Sequence, residues 1–275
     1  MKEDICIHPW KYAVEPFRIA GPLYYVGNKK VSSHLVDTGS GLILFDTTFP
    51  QTTYLLLESI RQLGFDPADI RLILHSHGHY DHFGGTRAIV ELTEAKTAMG
   101  KDDIFILTER PELSWAPEYG VEFHETFTVD IQLSDRQKLE VGSITIECAH
   151  IPGHTPGNMS YFFRIQDNGR NYSVGFHGGH GIKVFADQYL LKYGLSYEAR
   201  QQYLKSIEKM KARSPDIFIA SHPSQDKTLA KYEKMIGRQN PFIDKQAWPA
   251  YLSQLEDTAQ YNFNMLMGYP NDEIC

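Results

Sequence analysis

Within the stretch HSHGHYDHFGG, residues 75–85, four histidines and one aspartate fall between His75 and His82. Nothing else in the chain limits its folding so sharply, because imidazoles and a carboxylate this crowded cannot serve as ordinary apolar core. A shared cation resolves the crowding. On an extended segment residues two apart face the same side, so His77 and His79 converge on one ion while Asp81 and His82 turn elsewhere. One short loop can then serve two metal ions.

The loop has a mount. The segment DPADIRLILHSH runs from a proline-containing turn into a short apolar strand at 70–74, and the strand ends where the histidines begin. A zinc site wants about four ligands, one of them water when the site is catalytic, so distant residues must complete it. Two histidines are placed to do so. His154, in IPGHTPGNMSYFF, lies in a Pro/Gly-rich turn between strands, and His222, in DIFIASHPSQ, lies just past an apolar strand and before a proline. His8, His34, His75, His124 and His150 read as surface or hydrogen-bonded core residues.

The rest of the chain supplies sheets and helices. LYYVGNKKVSSHLVDTGSGLILFDTT reads as two or three strands with tight turns, and TTYLLLESIRQLG places Leu56, Ile60 and Leu63 on one helical face. A helix at GGTRAIVEL, a strand near 96–99 and a short helix after Lys101 continue the first half. Gly84 and Gly85 let the chain turn close to the site. The second half repeats the order with strands at VDIQL, KLEVGSITIECAHI, MSYFFRI and NYSVGF, a helix near 197–212 and a strand at DIFIASH. Further helices follow at QDKTLAKYEKMIG and after Asp244. Two mixed sheets packed face to face with helices outside accommodate this alternation.

With 275 residues, 42% of them hydrophobic, and no linker-like segment, the chain is expected to form one domain over 1–275. A formal charge of −7 argues against a general nucleic-acid binder. The apolar runs are too short to span a bilayer. MKEDICIHPWKY lacks the features of a signal peptide, so the expected location is the cytoplasm if the chain is complete, and the periplasm or exterior if a leader was trimmed. Cys6, Cys148 and Cys275 are odd in number and scattered, which suggests free or buried thiols.

HSHGHYDHFGG, GHTPGN and SHP, in that order, resemble the metallo-β-lactamase superfamily. PFRIAGPLYYVGNKKVSSHLV and NPFIDKQAWPAYLSQLEDTAQYNF resemble the flanks of its third subclass of zinc β-lactamases. The likeness covers nearly the whole chain. It implies a four-layer αβ/βα sandwich with a dinuclear zinc site: His77, His79 and His154 on the first ion, Asp81, His82 and His222 on the second. The strand NYSVGFHGGHG carries His177 where other hydrolases of the superfamily have a bridging aspartate, which favours the lactamase-like branch. In that subclass the loop usually carries a small polar residue that helps hold the substrate carboxylate, whereas this chain has His177, Gly178, Gly179 and His180. HGGHG reads either as a flexible glycine loop with exposed imidazoles or as a substrate contact or auxiliary metal contact through His177 and His180. Ser221 and Ser224, flanking SHP, are expected either to touch a small-molecule substrate or to stabilise the turn.

The implied mechanism is attack of a zinc-generated hydroxide, oriented by Asp81, on a carbonyl polarised by the first ion. The expected activity is opening of a cyclic amide, as in a β-lactamase. A lactonase or other ester hydrolase on the same site is the alternative. A non-hydrolytic metal-binding protein or an iron redox enzyme is the alternative of another class, with nuclease activity last.

Overall fold

A computed structural model describes residues 2–268 apart from 236 and 238, with side chains to residue 264; Cys275 lies outside the described residues. The first sheet has seven strands in sequence order: β1 (Phe17–Ala20), β2 (Leu23–Tyr25), β3 (His34–Asp37), β4 (Leu42–Phe45), β5 (Ile70–Leu74), β6 (Lys96–Gly100) and β7 (Ile131–Leu133). β1 to β4 form an antiparallel meander, and β4 to β7 pair in parallel. β8 (Lys138–Val141), β9 (Ile144–His150), β10 (Met159–Asp167), β11 (Arg170–His177) and β12 (Ile217–Ala220) form the second sheet. There β8 to β11 are antiparallel and β12 joins β11 in parallel.

The helices are α1 (Asp4–Ile7), α2 (Thr53–Gln62), α3 (Tyr80–Phe83), α4 (Thr86–Val90), α5 (Ile104–Thr108), α6 (Asp187–Tyr193), α7 (Glu198–Lys211), α8 (Thr228–Glu233) and α9 (Ala247–Gly268). The sheets lie face to face with helices on both outer faces, which is the expected four-layer sandwich. No helix among the described residues is long and apolar enough to cross a membrane.

Strand periodicity explains the layers. Ile43 and Phe45 of β4 and Ile217 and Ile219 of β12 point into the layer between the sheets, where they meet Tyr161, Phe163 and Phe176. Their neighbours Leu42 and Leu44 turn outward to Leu56, Leu57 and Ile60 of α2. Phe218 and Ala220 turn outward to Tyr203, Ile207 and Met210 of α7 and to Trp248 and Leu252 of α9. Such continuous apolar strands are what a sheet covered on both faces requires.

Three local expectations change. Asp81 and His82 lie on the helical turn α3 and not on an extended run, because His79 caps it and its carbonyl accepts from the His82 amide at 2.9 Å. α6 was not anticipated. The helix expected through QDKTLAKYEKMIG is confined to α8, entered through Lys227 in the left-handed region.

Candidate metal centre

Chain direction brings the candidate residues together. β4 and β5 run in parallel, so Asp46 and the histidine loop emerge at one edge of the first sheet. β9, β11 and β12 also run in a common direction, so the loops carrying His154, His177–His180 and His222 leave the second sheet at one edge. The two edges are joined: Met159 N donates to Ser76 O at 2.8 Å, and Ser32 N donates to Ser221 O at 2.9 Å. Gly85 permits a close approach here, since a Cβ on it would lie 2.5 Å from Thr47 O.

Two groups of three side chains that could hold a metal ion result. His77, His79 and His154 form one, and Asp81, His82 and His222 the other; within each, the ligand atoms lie within 4.8 Å of one another. His77 Nε2 is 3.2 Å from His154 Nε2, and His82 Nε2 is 3.1 Å from His222 Nε2. Asp81 Oδ2 lies 3.3 Å from His82 Nε2 and 3.7 Å from His222 Nε2. Two nitrogens bound tetrahedrally to one zinc at ~2.0–2.1 Å are roughly 3.3 Å apart, so the spacings fit a cation of that size.

The opposite ring nitrogens are held, which fixes where the free lone pairs point. His154 Nδ1 faces Gly181 O at 2.8 Å, and His222 Nδ1 faces Lys30 O at 2.8 Å. A carbonyl only accepts, so each Nδ1 carries the proton and each Nε2 of the neutral ring is left to bind a metal. His82 Nδ1 meets Asp46 Oδ2 at 2.8 Å. Ser76 Oγ donates to the same carboxylate oxygen at 2.7 Å and can therefore accept from His77 Nδ1 at 2.8 Å. Asp46 is fully buried and adopts φ +56. That left-handed backbone is strained for a non-glycine residue, and such strain concentrates at functional sites.

Protonation differs between the groups. Burial, then neighbouring imidazoles, hold His77 and His154 well below the ordinary histidine range, and burial pushes His79 down to about 3. These rings are neutral, as ligands must be. Burial also opposes charge on His82, but Asp81 and Asp46 outweigh it and raise the ring to about 10, so a metal held there would have to displace the Nε2 proton. Asp81, despite burial, is held far below the carboxylate range by His82 and His222. The second group thus favours a carboxylate anion beside positive charge.

Several contributors had no local signature. Tyr119 donates to Asp81 Oδ2 at 3.0 Å, and Trp115 stands 5.7 Å from the His79 ring, both from a segment without readable periodicity. Asp103 is buried and accepts from Gly78 N at 2.7 Å, Thr155 Oγ1 at 2.6 Å and Gly157 N at 2.5 Å. It clamps the loop of His77 and His79 to the loop of His154. Burial, only partly offset by these donors, raises its carboxyl to about 6.

The HGGHG loop, expected on one reading to be a flexible glycine loop with exposed imidazoles, is hydrogen-bonded at Gly178 and Gly179 and buries His177. Asn158 grips Gly179 on both sides, donating to its carbonyl at 2.7 Å and accepting from its amide at 2.8 Å. A Cβ on Gly179 would sit 2.0 Å from His154 Cδ2, so only glycine lets this backbone lie on the rings of His154 and His77. His177 is 2% exposed and packs against Trp248 and Tyr251, so its imidazole is not exposed as expected. Ser221 is likewise enclosed; its hydroxyl donates to Gly178 O at 3.1 Å and so holds the loop. Ser224 is exposed two residues beyond His222. His180 remains beside the site: its ring is 6.4 Å from that of His222, and Tyr251 Oη lies 3.0 Å from its Nδ1.

Of the histidines expected to be structural, His75 meets Ala98 O and Thr86 Oγ1 inside the core, and His150 meets Pro156 O. His8 pairs with Asp4, and His124 is exposed. His34 differs, because both ring nitrogens are buried without a hydrogen-bond partner.

Comparison with known proteins agrees with this geometry. The family described as the metallo-beta-lactamase superfamily matches residues 26–168. BJP-1, a subclass B3 metallo-beta-lactamase of Bradyrhizobium japonicum, is similar with a TM-score of 0.85 and 28% identity, covering 95% of this chain and 98% of that one. The metallo-beta-lactamase GOB-18 from Elizabethkingia meningoseptica is 30% identical with a TM-score of 0.81, covering 94% and 95%. An N-acyl homoserine lactonase of Bacillus thuringiensis is 23% identical over 239 residues, 76% of this chain and 88% of the lactonase. A beta-lactamase-like protein 2 homolog of Drosophila melanogaster is 26% identical over 215 residues, 76% of this chain, and the match spans 64% of that protein's length.

Proposed function

The chain belongs to the metallo-beta-lactamase superfamily, and from that premise we propose that this hydrolase uses two zinc ions to open a cyclic amide, acting on β-lactams. The observation that carries the reading is the pair of adjoining ligand groups whose Nε2 atoms converge while their Nδ1 atoms are anchored elsewhere. His77, His79 and His154 would hold the first ion, and Asp81, His82 and His222 the second. Nitrogen-rich ligation suits zinc.

Bound there, zinc would polarise the substrate carbonyl and lower the pKa of a coordinated water from about 15.7 toward ~7. The chain's own groups do the positioning. Tyr119 fixes the Asp81 carboxylate, which orients the attacking water. Asp46 and the carbonyls of Lys30 and Gly181 keep three imidazoles aimed inward. Gly178 and Gly179 close the floor with backbone alone, and His180, backed by Tyr251, is the loop side chain left to meet the substrate.

A second reading replaces the lactam by a lactone or another ester. It is favoured by His180, a bulky imidazole in place of a small polar carboxylate-holding residue, and is supported by the likeness to a lactonase. Zinc-loaded protein and its His79→Ala variant should be assayed on a penicillin, a cephalosporin, a carbapenem, a simple lactone and an aryl ester, and the metal carried by the protein as purified, before zinc is added, measured by elemental analysis. Lactam turnover lost in the variant supports the first reading. Lactone or ester turnover with inert lactams supports the second, and iron in place of zinc would overturn both.

A further inference from the structure

The segment from Glu3 to Tyr12, which contains α1, is fastened at three places, and each lies one residue or one contact from a member of the second ligand group. Ile5 is fully buried in one cluster with Val31, Phe49, Tyr80 and Ala116, and Tyr80 immediately precedes Asp81 on α3. Glu3 N donates to Tyr119 O at 3.2 Å, and it is the Tyr119 hydroxyl that holds Asp81. Lys30 Nζ donates to Glu3 Oε2 at 2.7 Å, and it is the Lys30 carbonyl that holds His222. Lys30 Nζ also stands 5.7 Å from the centre of the Tyr119 ring, so the two supports meet at Glu3. Farther along, Lys29 N donates to Tyr12 O at 2.9 Å and Lys29 Nζ to Lys11 O at 2.9 Å, which ties the end of the segment to the same turn.

The first group has different supports. Ser76 meets His77, Gly181 O meets His154, and Asp103 clamps the loops that carry them. Among the described residues no hydrogen bond joins residues 3–12 to any of these. We infer that residues 3–12 form a strap that positions the second ligand group and leaves the first untouched, with Glu3, Ile5 and Lys30 as its positioning residues. The inference rests on the two-ion reading above. A half-exposed pair such as Glu3 and Lys30, 46% and 34% exposed, contributes little by charge alone, so its effect is to hold Tyr119 and the Lys30 backbone in register.

Position and charge predict opposite signs at Lys30. If only charge mattered, removing a cation would tighten zinc at the neighbouring group; if the strap positions the ligands, removing it loosens zinc. Fully loaded protein is titrated with a chromogenic chelator that competes for zinc, and the two affinities are assigned with His154→Ala for the first group and His222→Ala for the second. Glu3→Gln and Lys30→Met should each weaken the second group by about 3-fold, and Ile5→Ala by about 10-fold. The first group should stay within about 2-fold in all three. Exchanging the pair, Glu3→Lys with Lys30→Glu, should bring the second group back to within about 2-fold of wild type, a rescue that general destabilisation would not produce. The Glu3 and Lys30 variants, at partly exposed positions, carry the test if Ile5→Ala does not fold.

The two readings fail differently. Equal losses at both groups, tighter zinc in Lys30→Met, no change in any variant, or no rescue by the exchanged pair overturns the strap and leaves the hydrolase standing. Losses confined to the second group, with rescue, in a protein that turns over no ester, lactone or lactam uphold the strap and remove the hydrolase. Zinc held by the first group alone overturns the strap together with the two-ion reading.

Discussion

Gly179→Ala tests whether the HGGHG backbone is part of the metal site's construction. A Cβ at this position would stand 2.0 Å from His154 Cδ2, 2.7 Å from His154 Nε2 and 2.9 Å from His77 Cε1. Carbon atoms in contact prefer about 3.5–4.0 Å, so the ring of His154 or the backbone of Gly179 must retreat by roughly 1.5 Å. Neither retreats freely. His154 is tied through Nδ1 to Gly181 O, and Gly179 is held by Asn158 through both its amide and its carbonyl. Overpacking of this kind costs about 1–3 kcal/mol, which for a chain of this size lowers Tm by about 2–4 °C per kcal/mol. Because the displaced atom is the Nε2 proposed to bind zinc, zinc affinity of the first group should fall by the ~10–100-fold typical of a lost supporting contact. Gly181→Ala is the control, since its Cβ would meet His154 at no less than 3.3 Å. Competition with a chromogenic chelator measures the affinity, and thermal melts of both variants measure the strain. Wild-type zinc affinity in Gly179→Ala, or equal losses in the two variants, would refute the argument.

Two other perturbations have definite signs. Asp46→Asn keeps the shape but removes the charge that faces His82 and Ser76; zinc affinity should fall by about 10–100-fold, more steeply at the second group than at the first, in a two-site titration. His34 bears on acid stability: burial holds its pKa at about 3, against about 6.5 in an unfolded chain. Below pH 6.5 the unfolded chain takes up a proton that the folded chain refuses, so stability falls with pH through the window from 6.5 to 3, by about 2 kcal/mol at pH 5. His34→Phe, placed against Tyr25 and Phe176, should show a smaller loss in urea midpoint between pH 7 and pH 5. An unchanged loss would rule out this origin.

Much of the sandwich could be read from the chain because the strands carry their own periodicity. β5 is an apolar run that stops at the first histidine, and His154 and His222 stand in Pro- or Gly-marked turns beside strands, so even the distant members of the two groups had local signals. The supporting residues had none. Asp46, Asp103 and Tyr119 are single polar residues whose roles exist only after segments far apart in sequence have met; Asp103 joins residues 25 and 52 positions away. HGGHG was ambiguous for a related reason, since its glycines indicate freedom locally while Asn158, from another loop, removes it. Ser221 and His177 looked available beside the metal motifs but are enclosed by the same packing.

The convergence of strand ends also has a mechanical consequence. A cation joining His82 to His222 would close a loop of 140 residues, and one joining His77 to His154 a loop of 77. In the chain-entropy account, a covalent crosslink around a loop of about 100 residues stabilises by about 4.7 kcal/mol. The ions would therefore act as rivets through the seam between the sheets. Resistance to unfolding and capacity for turnover would then rise and fall together with metal supply, and a chelator would loosen the protein along the edge that carries the two histidine groups.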